Sequence, residues 1–344
     1  MDLNFATISN HLILIGIYCI LALSLNLING SLGTFSLGHH GFWAMGAYAA
    51  GVMVWVFGSP HGSLLMFGLS FLVAMLASAG FGLLVGAPCL RLRGDYLAIA
   101  TLGFAEIFII CVRNSESWRM FGERGLGGAA GFSLSDTYRD TPYRISGDDL
   151  SGNDIIMAMA GGSNTTRQII YLVVTWVLVA LVFIVIRNLL RSGHGRAITA
   201  IRDDQTAAEL MGVNLVRYKV SVFVIGAAMA GLAGALMANY RSTISPNQFL
   251  MMEGIKILLM CVLGGLGSMS GTLIAVFVLY TSEQVISLFQ TPVPFSVWNR
   301  GAGAFRGDTK SLSDLWQVVF ALLLILLMLL RPNGIMGRRE LSRE

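Results

Sequence analysis

The strongest constraint in this sequence is a long stretch without charge. Leu3 to Leu90 is a run of 88 consecutive residues that contains no Asp, Glu, Lys or Arg. The chain has 344 residues, of which 12% are charged, and a soluble domain has about 25%. Its mean hydropathy is +0.70. These values argue against a soluble enzyme and against a disordered chain, and they indicate a membrane protein built from α-helices.

Apolar stretches that could cross a bilayer recur along the chain, and each crossing needs ~20 residues. We predict an all-α fold, a polytopic transmembrane helical bundle of about 8–10 spans. The seventh candidate is too short unless it extends back through 249–252, and the Gly-rich stretch 30–41 could be a re-entrant break. The candidate spans are 11–29, 42–57, 63–87, 96–112, 168–186, 220–240, 255–263, 272–289 and 315–330.

The positions of Lys and Arg near the span ends predict the orientation, because cytoplasmic loops are enriched in them. With the N-terminus outside, the segment 113–167 lies outside and the tail 331–344 is cytoplasmic. The net charge of +4 then follows from cytoplasmic loops, so we expect contact with lipid and none with nucleic acid. The residues that this orientation places in the cytoplasm are Arg91, Arg93, Arg187, Arg191, Arg196, Arg202, Arg217, Lys219, Arg331, Arg338, Arg339 and Arg343.

Few polar side chains lie in the spans, and these are candidates for a solute pathway. Glu106 is central in the fourth span, where a charge costs about 2.5–3.5 kcal/mol, so it should face the bundle interior or a wet cavity. It could line a pathway, or it could be a protonated or hydrogen-bonded residue that packs between helices. His39 and its neighbour His40 lie in the Gly-rich break after the first span. They could line a pore or form a proton relay, or they could lie in a plain turn with one imidazole in water. Asn26 could line the pathway or bond to another helix.

The sixth candidate span predicts close helix packing. Gly226, Ala230 and Gly234 recur at every fourth position, and Gly231 belongs to a parallel row of small residues. Small side chains let helix backbones approach closely in lipid, where hydrophobicity does not drive helix association. The alternative is that Ala and Gly are simply common in such helices.

The segment 187–219 predicts a short helix on the cytoplasmic side. Asp203 and Asp204 suit a helix N-terminus, where the helix dipole favours negative charge, and Gly212 suits a C-terminal stop. A helix of about two turns is unstable alone, so it needs a partner surface. Because this helix is acidic and rich in Ala, a protein partner suits it better than a lipid surface.

The sequence contains no phosphate-binding loop, no zinc-protease motif and no serine nucleophile elbow. Neither Gly-rich stretch, 125–131 or 264–271, has the Lys followed by Ser or Thr that nucleotide binding needs. We therefore expect no catalytic residues, no metal site and no cofactor in this chain, and we expect that it is not an enzyme.

Six blocks of the sequence resemble a known family. In IRDDQTAAELMGVNLVRYK, at 201–219, the residues Ala207, Ala208, Glu209 and Gly212 resemble the coupling loop of ABC importer permeases. Together, the blocks are similar to branched-chain amino acid permeases of the LivM type, and urea and short-amide permeases are close relatives. The other blocks are GSLGTFSLGHHGFWAMGAY (30–48), RLRGDYLAIATLGFAEI (91–107), SPNQF (245–249), VLGGLGSMSG (262–271) and RPNGIMGRRE (331–340).

The resemblance implies one permease domain, 1–344, in a bacterial inner membrane. It implies a LivH-type second permease, two ABC ATPase subunits that hold ATP and Mg²⁺, and a periplasmic substrate-binding protein. Residues Arg202, Asp203, Asp204, Ala207, Ala208, Glu209 and Gly212 would then form the coupling site, within a cytoplasmic loop at 191–214. The stretch 133–167 looks like an insertion in the outer loop. A secondary transporter or channel that works alone, or more remotely an intramembrane enzyme, is a further alternative.

Overall fold

The structure is a computed structural model, and it describes residues 5–57, 64–90, 92, 94–115, 131–133, 164–241 and 243–288. The described residues are almost all helical. The first half contains the helices α1 (Phe5–Asn26), α2 (His39–Phe57), α3 (Leu64–Cys89) and α4 (Asp95–Arg113). One π-helical turn, Leu27–Ser31, continues α1.

The second half of the described chain contains both long and short helices. They are α5 (Asn164–Arg191), α6 (Gly193–Asp203), α7 (Gln205–Leu210), α8 (Leu215–Tyr240), α9 (Met251–Gly264) and α10 (Met269–Leu288). A short 3₁₀ helix, Pro246–Phe249, precedes α9. Two-residue strands β1 (Phe132–Ser133) and β2 (Thr243–Ile244) pair antiparallel, with Phe132 opposite Ile244.

The predicted spans agree with the helices wherever the structure describes them. Within the described ranges, six helical segments are long and apolar enough to cross a membrane, and the all-α membrane bundle is confirmed. The seventh span does extend backwards, because the 3₁₀ helix joins α9 in one apolar stretch, Pro246–Gly264. The ninth span 315–330, the tail 331–344, Arg91, Arg93 and most of the insertion 133–167 lie outside the described residues.

Helix α1 lies inside the bundle, whereas α3 and α5 lie at its edge. In their most apolar stretches, 89% of the residues are buried in α1, but only 28% in each of α3 and α5. On the outer face of α3, Leu76 is 63% exposed, and on α5 Val177 is 58% exposed. Large apolar side chains exposed in these positions are suited to contact with lipid.

Helix α8 packs against α1, α2 and α3 through the small residues that the sequence singles out. A methyl group at Gly226 would lie 2.6 Å from Ile28 Cδ1 in the π-helical turn, and one at Gly231 would lie 2.6 Å from the carbonyl oxygen of Ala74 in α3. One at Gly234 would lie 2.5 Å from the Ala47 nitrogen in α2. Ala230, between them, is fully buried.

Candidate functional site

The Gly-rich break between α1 and α2 is a hydrogen-bonded loop that is buried at most positions, although Phe35 is 42% exposed. The Asn29 side chain accepts a hydrogen bond from the Ser36 nitrogen at 3.0 Å and donates one to the Ser36 carbonyl at 3.2 Å. The Leu37 nitrogen donates to Thr101 Oγ1 of α4 at 3.3 Å. Gly33 has φ of +74°, a backbone conformation that residues other than Gly rarely adopt. These bonds connect the break to itself and to α4.

Asn26 joins α1 to the Gly-rich turn between α9 and α10. Its Nδ2 donates to the Ser268 carbonyl at 3.0 Å and to Thr272 Oγ1 at 2.9 Å. Its Oδ1 accepts from the Gly267 nitrogen at 2.8 Å. The nitrogen and the oxygen of this buried amide are thus both bonded to the turn. This agrees with the prediction that Asn26 bonds to another helix.

The adjacent residues His39 and His40 contact two different helices, and His40 is the one that lies next to Glu106. His39 Nε2 lies 2.7 Å from Ser24 Oγ of α1, and His40 Nε2 lies 3.3 Å from Glu106 Oε1 of α4. Both histidines are buried in the first turn of α2, whereas the Glu106 side chain is 33% exposed. The plain-turn alternative, with one histidine in water, is therefore wrong. Whether this group lines a pathway stays a prediction.

A second polar group, which the sequence analysis did not identify, lies between α1, α9 and α10. Tyr18 donates its phenolic hydrogen to Glu253 Oε2 at 2.6 Å. Lys256 Nζ donates to Glu253 Oε1 at 3.1 Å and to Glu283 Oε1 at 3.0 Å. The sequence did contain a signal, because Glu253 and Lys256 are three residues apart in an otherwise uncharged apolar stretch.

The predicted coupling segment contains two short helices, α6 and α7. The Asp204 side chain caps α7 by accepting hydrogen bonds from the Thr206 and Ala207 nitrogens at 2.8 and 3.1 Å. Gly212, with φ of +83°, follows α7 and ends it. The predicted N-terminal place of Asp203 is wrong, because Asp203 is the last residue of α6.

One side of α7 is anchored and the other faces outward. Ala208 is buried, and the Gln205 side chain accepts a hydrogen bond from Lys219 Nζ of α8 at 2.8 Å. Glu209 is exposed, and Leu210 and Met211 are 84% and 83% exposed. A groove of about 580 Å³ runs beside α7, with Leu90, Leu92, Glu209 and Lys219 among its lining residues.

Arg202 points away from α7 towards the two Gly-rich turns of the bundle. A methyl group at Gly33 would lie 3.0 Å from Arg202 Cγ, and one at Gly267 would lie 2.7 Å from Arg202 Nη1. Both glycines have positive φ, at +74° and +93°. The Arg202 side chain therefore contacts the break after α1 and the turn between α9 and α10, a contact that sequence spacing did not predict.

These features define a multi-pass membrane protein with a structured segment between two spans. Residues 7–329 match the family described as branched-chain amino acid transport system / permease component. The chain belongs to this family, and the resemblance to LivM-type permeases is confirmed.

Several curated permeases are similar to the chain. The LivM permease proteins of Salmonella typhimurium and Escherichia coli are each 36% identical to it over 274 residues. That alignment covers 79% of this chain but 62% of the LivM proteins, so the chain spans less than two thirds of their length. The LivH permease protein of Escherichia coli is 28% identical over 333 residues, which cover 95% of this chain and 93% of LivH. No solved structure matches the chain significantly.

Proposed function

We propose that this chain is the permease subunit of an ATP-driven importer that moves branched-chain or other hydrophobic amino acids by alternating access. Its relatives are named as permeases for branched-chain amino acids, and this supports the solute class. The N-terminus lies outside and the C-terminus is cytoplasmic. A LivH-type permease, two ATPases and a binding protein complete the transporter, and ATP is hydrolysed on the ATPases.

The observation that carries this proposal is the outward face of α7. Leu210 and Met211 expose most of their apolar surface beside the Glu209 carboxylate, at the end of a six-residue helix. Exposed apolar side chains beside a charge are typical of a surface that a protein partner covers. We infer that this face, with Ala207 and Gly212, contacts an ATPase subunit.

Arg202 connects the ATPase contact surface to the membrane spans. Its side chain extends from the end of α6 to Gly33 and Gly267, which belong to turns on two different parts of the bundle. A displacement of α7 would therefore move a side chain that both turns contact. In this proposal, Arg202 is a positioning residue that passes ATPase motion to α1, α9 and α10.

The test is uptake of labelled leucine into proteoliposomes that contain this chain, a LivH-type permease and the ATPases, with the binding protein outside. We expect ATP-dependent uptake, and no flux from the chain alone. Glu209→Ala should lower uptake about tenfold, which corresponds to the loss of about 1.4 kcal/mol at the contact. Arg217→Ala, an exposed residue of α8 outside this face, is the control.

Three results would contradict the proposal. Leucine flux through the chain alone would favour a secondary transporter or channel. ATP-dependent uptake of labelled urea that unlabelled leucine does not inhibit, with no uptake of labelled leucine, would favour the urea or short-amide alternative. Wild-type uptake in Glu209→Ala, with the complex assembled, would overturn the coupling role of this face.

A further inference from the structure

Tyr18, Glu253, Lys256 and Glu283 form one connected group, which we call the Glu253 cluster. Lys256 Nζ bonds both carboxylates at 3.1 and 3.0 Å, and Tyr18 bonds Glu253 at 2.6 Å. Lys256 Nζ also lies 5.9 Å from the centre of the Tyr18 ring, in cation–π range. The four side chains come from α1, α9 and α10, so the cluster is built by tertiary packing.

The Glu253 cluster lies within the membrane-spanning part of the bundle. Tyr18 is the central residue of the apolar segment Phe5–Ser31, Glu253 and Lys256 lie in the N-terminal half of α9 within the apolar stretch Pro246–Gly264, and Glu283 lies in the last third of α10. A charge at the centre of a span costs about 2.5–3.5 kcal/mol, and ionisable residues within spans usually face a cavity or a pathway. Contact with lipid therefore does not account for three charges at one place.

The cluster is open and it carries an excess negative charge. Its two carboxylates are paired with one ammonium group, so one negative charge is not balanced within the cluster. The side chains of Glu253, Glu283 and Lys256 remain 25%, 28% and 17% exposed. A positively charged group of a solute can therefore pair with the carboxylates, although a zwitterion as a whole leaves the net charge of the cluster unchanged.

Aromatic side chains form one wall of the cluster. The Tyr18 ring lies 5.2 Å from the Tyr280 ring and 6.0 Å from the Trp43 ring, and Trp43 packs on Phe249 at 4.7 Å. Trp43 is fully buried, and its Nε1 has no hydrogen-bond partner in the part of the chain that the structure describes. Aromatic faces contact both ammonium groups and apolar side chains, which are the two ends of a hydrophobic amino acid.

We propose that the Glu253 cluster is a solute subsite that binds the α-ammonium and α-carboxylate groups of a zwitterionic amino acid. The ammonium group pairs with Glu283 and Glu253, and the carboxylate pairs with Lys256. The solute thus replaces ion pairs that the empty cluster makes internally, so each charged group of the solute contacts a group of opposite charge while the solute passes. This inference deepens the proposed transport function and rests on it. A neutral solute such as urea has no charges to exchange with the cluster.

A direct binding measurement tests the subsite independently of transport. Leucine is added at millimolar concentration to this chain with a LivH-type permease in nanodiscs, and saturation-transfer NMR reports its binding. We expect Glu283→Gln to weaken binding about tenfold or more, the range for losing a charged hydrogen-bond partner. Glu283→Asp keeps the charge and should restore part of the binding. Ser282→Ala, which bonds the Leu279 carbonyl outside the cluster, is the matched control.

Competitors separate the contributions of the two solute charges. Leucinol keeps the ammonium group and should displace leucine from the wild-type protein, but not detectably from Glu283→Gln. Isocaproate, which lacks the ammonium group, and urea should displace it at least about tenfold less well. Equal leucine binding by the wild-type protein and Glu283→Gln would overturn the subsite. So would equal loss in Glu283→Gln and Glu283→Asp, because that result means a structural role.

Uptake in the complete transporter then separates the subsite from the proposed function. Glu283→Gln should lower leucine uptake about tenfold at saturating loaded binding protein, with Ser282→Ala unchanged. Uptake by Glu283→Gln at the wild-type rate would overturn the subsite and leave the proposed function intact. Leucine binding that depends on Glu283, in a protein that shows no ATP-driven uptake, would overturn the proposed function and leave the subsite intact.

Discussion

Gly46 of α2 lies in close backbone contact with Gly231 of α8, and we predict that Gly46→Ala destabilises the bundle. A methyl group at Gly46 of α2 would contact Gly231 Cα of α8 and would lie 2.5 Å from the Gly231 carbonyl oxygen and 2.8 Å from its carbon. Favourable carbon contacts are about 3.5–4.0 Å long, so the helices would have to separate by about 1 Å.

The expected magnitude follows from what surrounds the new methyl group. Overpacking costs about 1–3 kcal/mol, and the upper value applies because backbone atoms cannot rotate away. Alanine regains about 1 kcal/mol of helix propensity, so we expect a net loss of about 2 kcal/mol. The control is Gly80→Ala in α3, where a methyl group meets nothing within 4 Å and only the propensity gain remains. The two variants should then differ by about 3 kcal/mol.

Thermal unfolding of the purified variants in detergent, followed by size-exclusion chromatography, measures this difference. For a chain of this length, about 3 kcal/mol corresponds to a difference in Tm of about 5 °C, with Gly80→Ala the more stable. Equal Tm values for the two variants would refute the reasoning. They would mean that α2 and α8 do not meet at Gly46 and Gly231.

Three further predictions concern the other contacts. Asn26→Leu should lower stability by about 2–4 kcal/mol in the same unfolding assay, because it leaves buried groups of the turn without their partner. Gly267→Ala and Gly94→Ala both place alanine at positive φ, so each should lower the free energy of unfolding by about 1–2 kcal/mol. Only Gly267→Ala should also lower ATP-driven uptake, because the new methyl group displaces Arg202. Asp204→Ala should weaken the cap of α7 by about 1 kcal/mol and lower uptake, whereas Asp204→Asn should not; equal uptake by both would count against the cap.

The spans and the helix ends of this protein were predictable because local sequence determines them. A bilayer requires long apolar stretches with internally bonded backbones, so each described span could be located from composition. Asp204 and Gly212 act on their own neighbours, as a cap and a stop, and their roles could be predicted from the residue type. The place of Asp203 was predicted wrongly, because adjacent acidic residues give no sign of where one helix ends and the next begins.

The polar sites were only partly predictable. Glu106 was selected because ionisable residues are rare in spans, and His39 because it lies in the Gly-rich break after the first span. Nothing local indicated that His40 would lie between them. The sequence also did not indicate whether His39 is in water or buried, since that depends on how α2 packs against α1 and α4.

The sequence by itself thus determined that this chain is a membrane-spanning helical protein with a capped helix on one loop, because these properties depend on residues close together in the chain. Only the tertiary structure decided which polar side chains meet. Tyr18 and Glu253 are 235 residues apart. Arg202 contacts one turn that precedes it in the sequence, at Gly33, and one that follows it, at Gly267. Such contacts depend on the packing of whole helices, in which a few small residues set the distance between backbones. Contacts between residues so far apart in the chain cannot be predicted from the local spacing of residues.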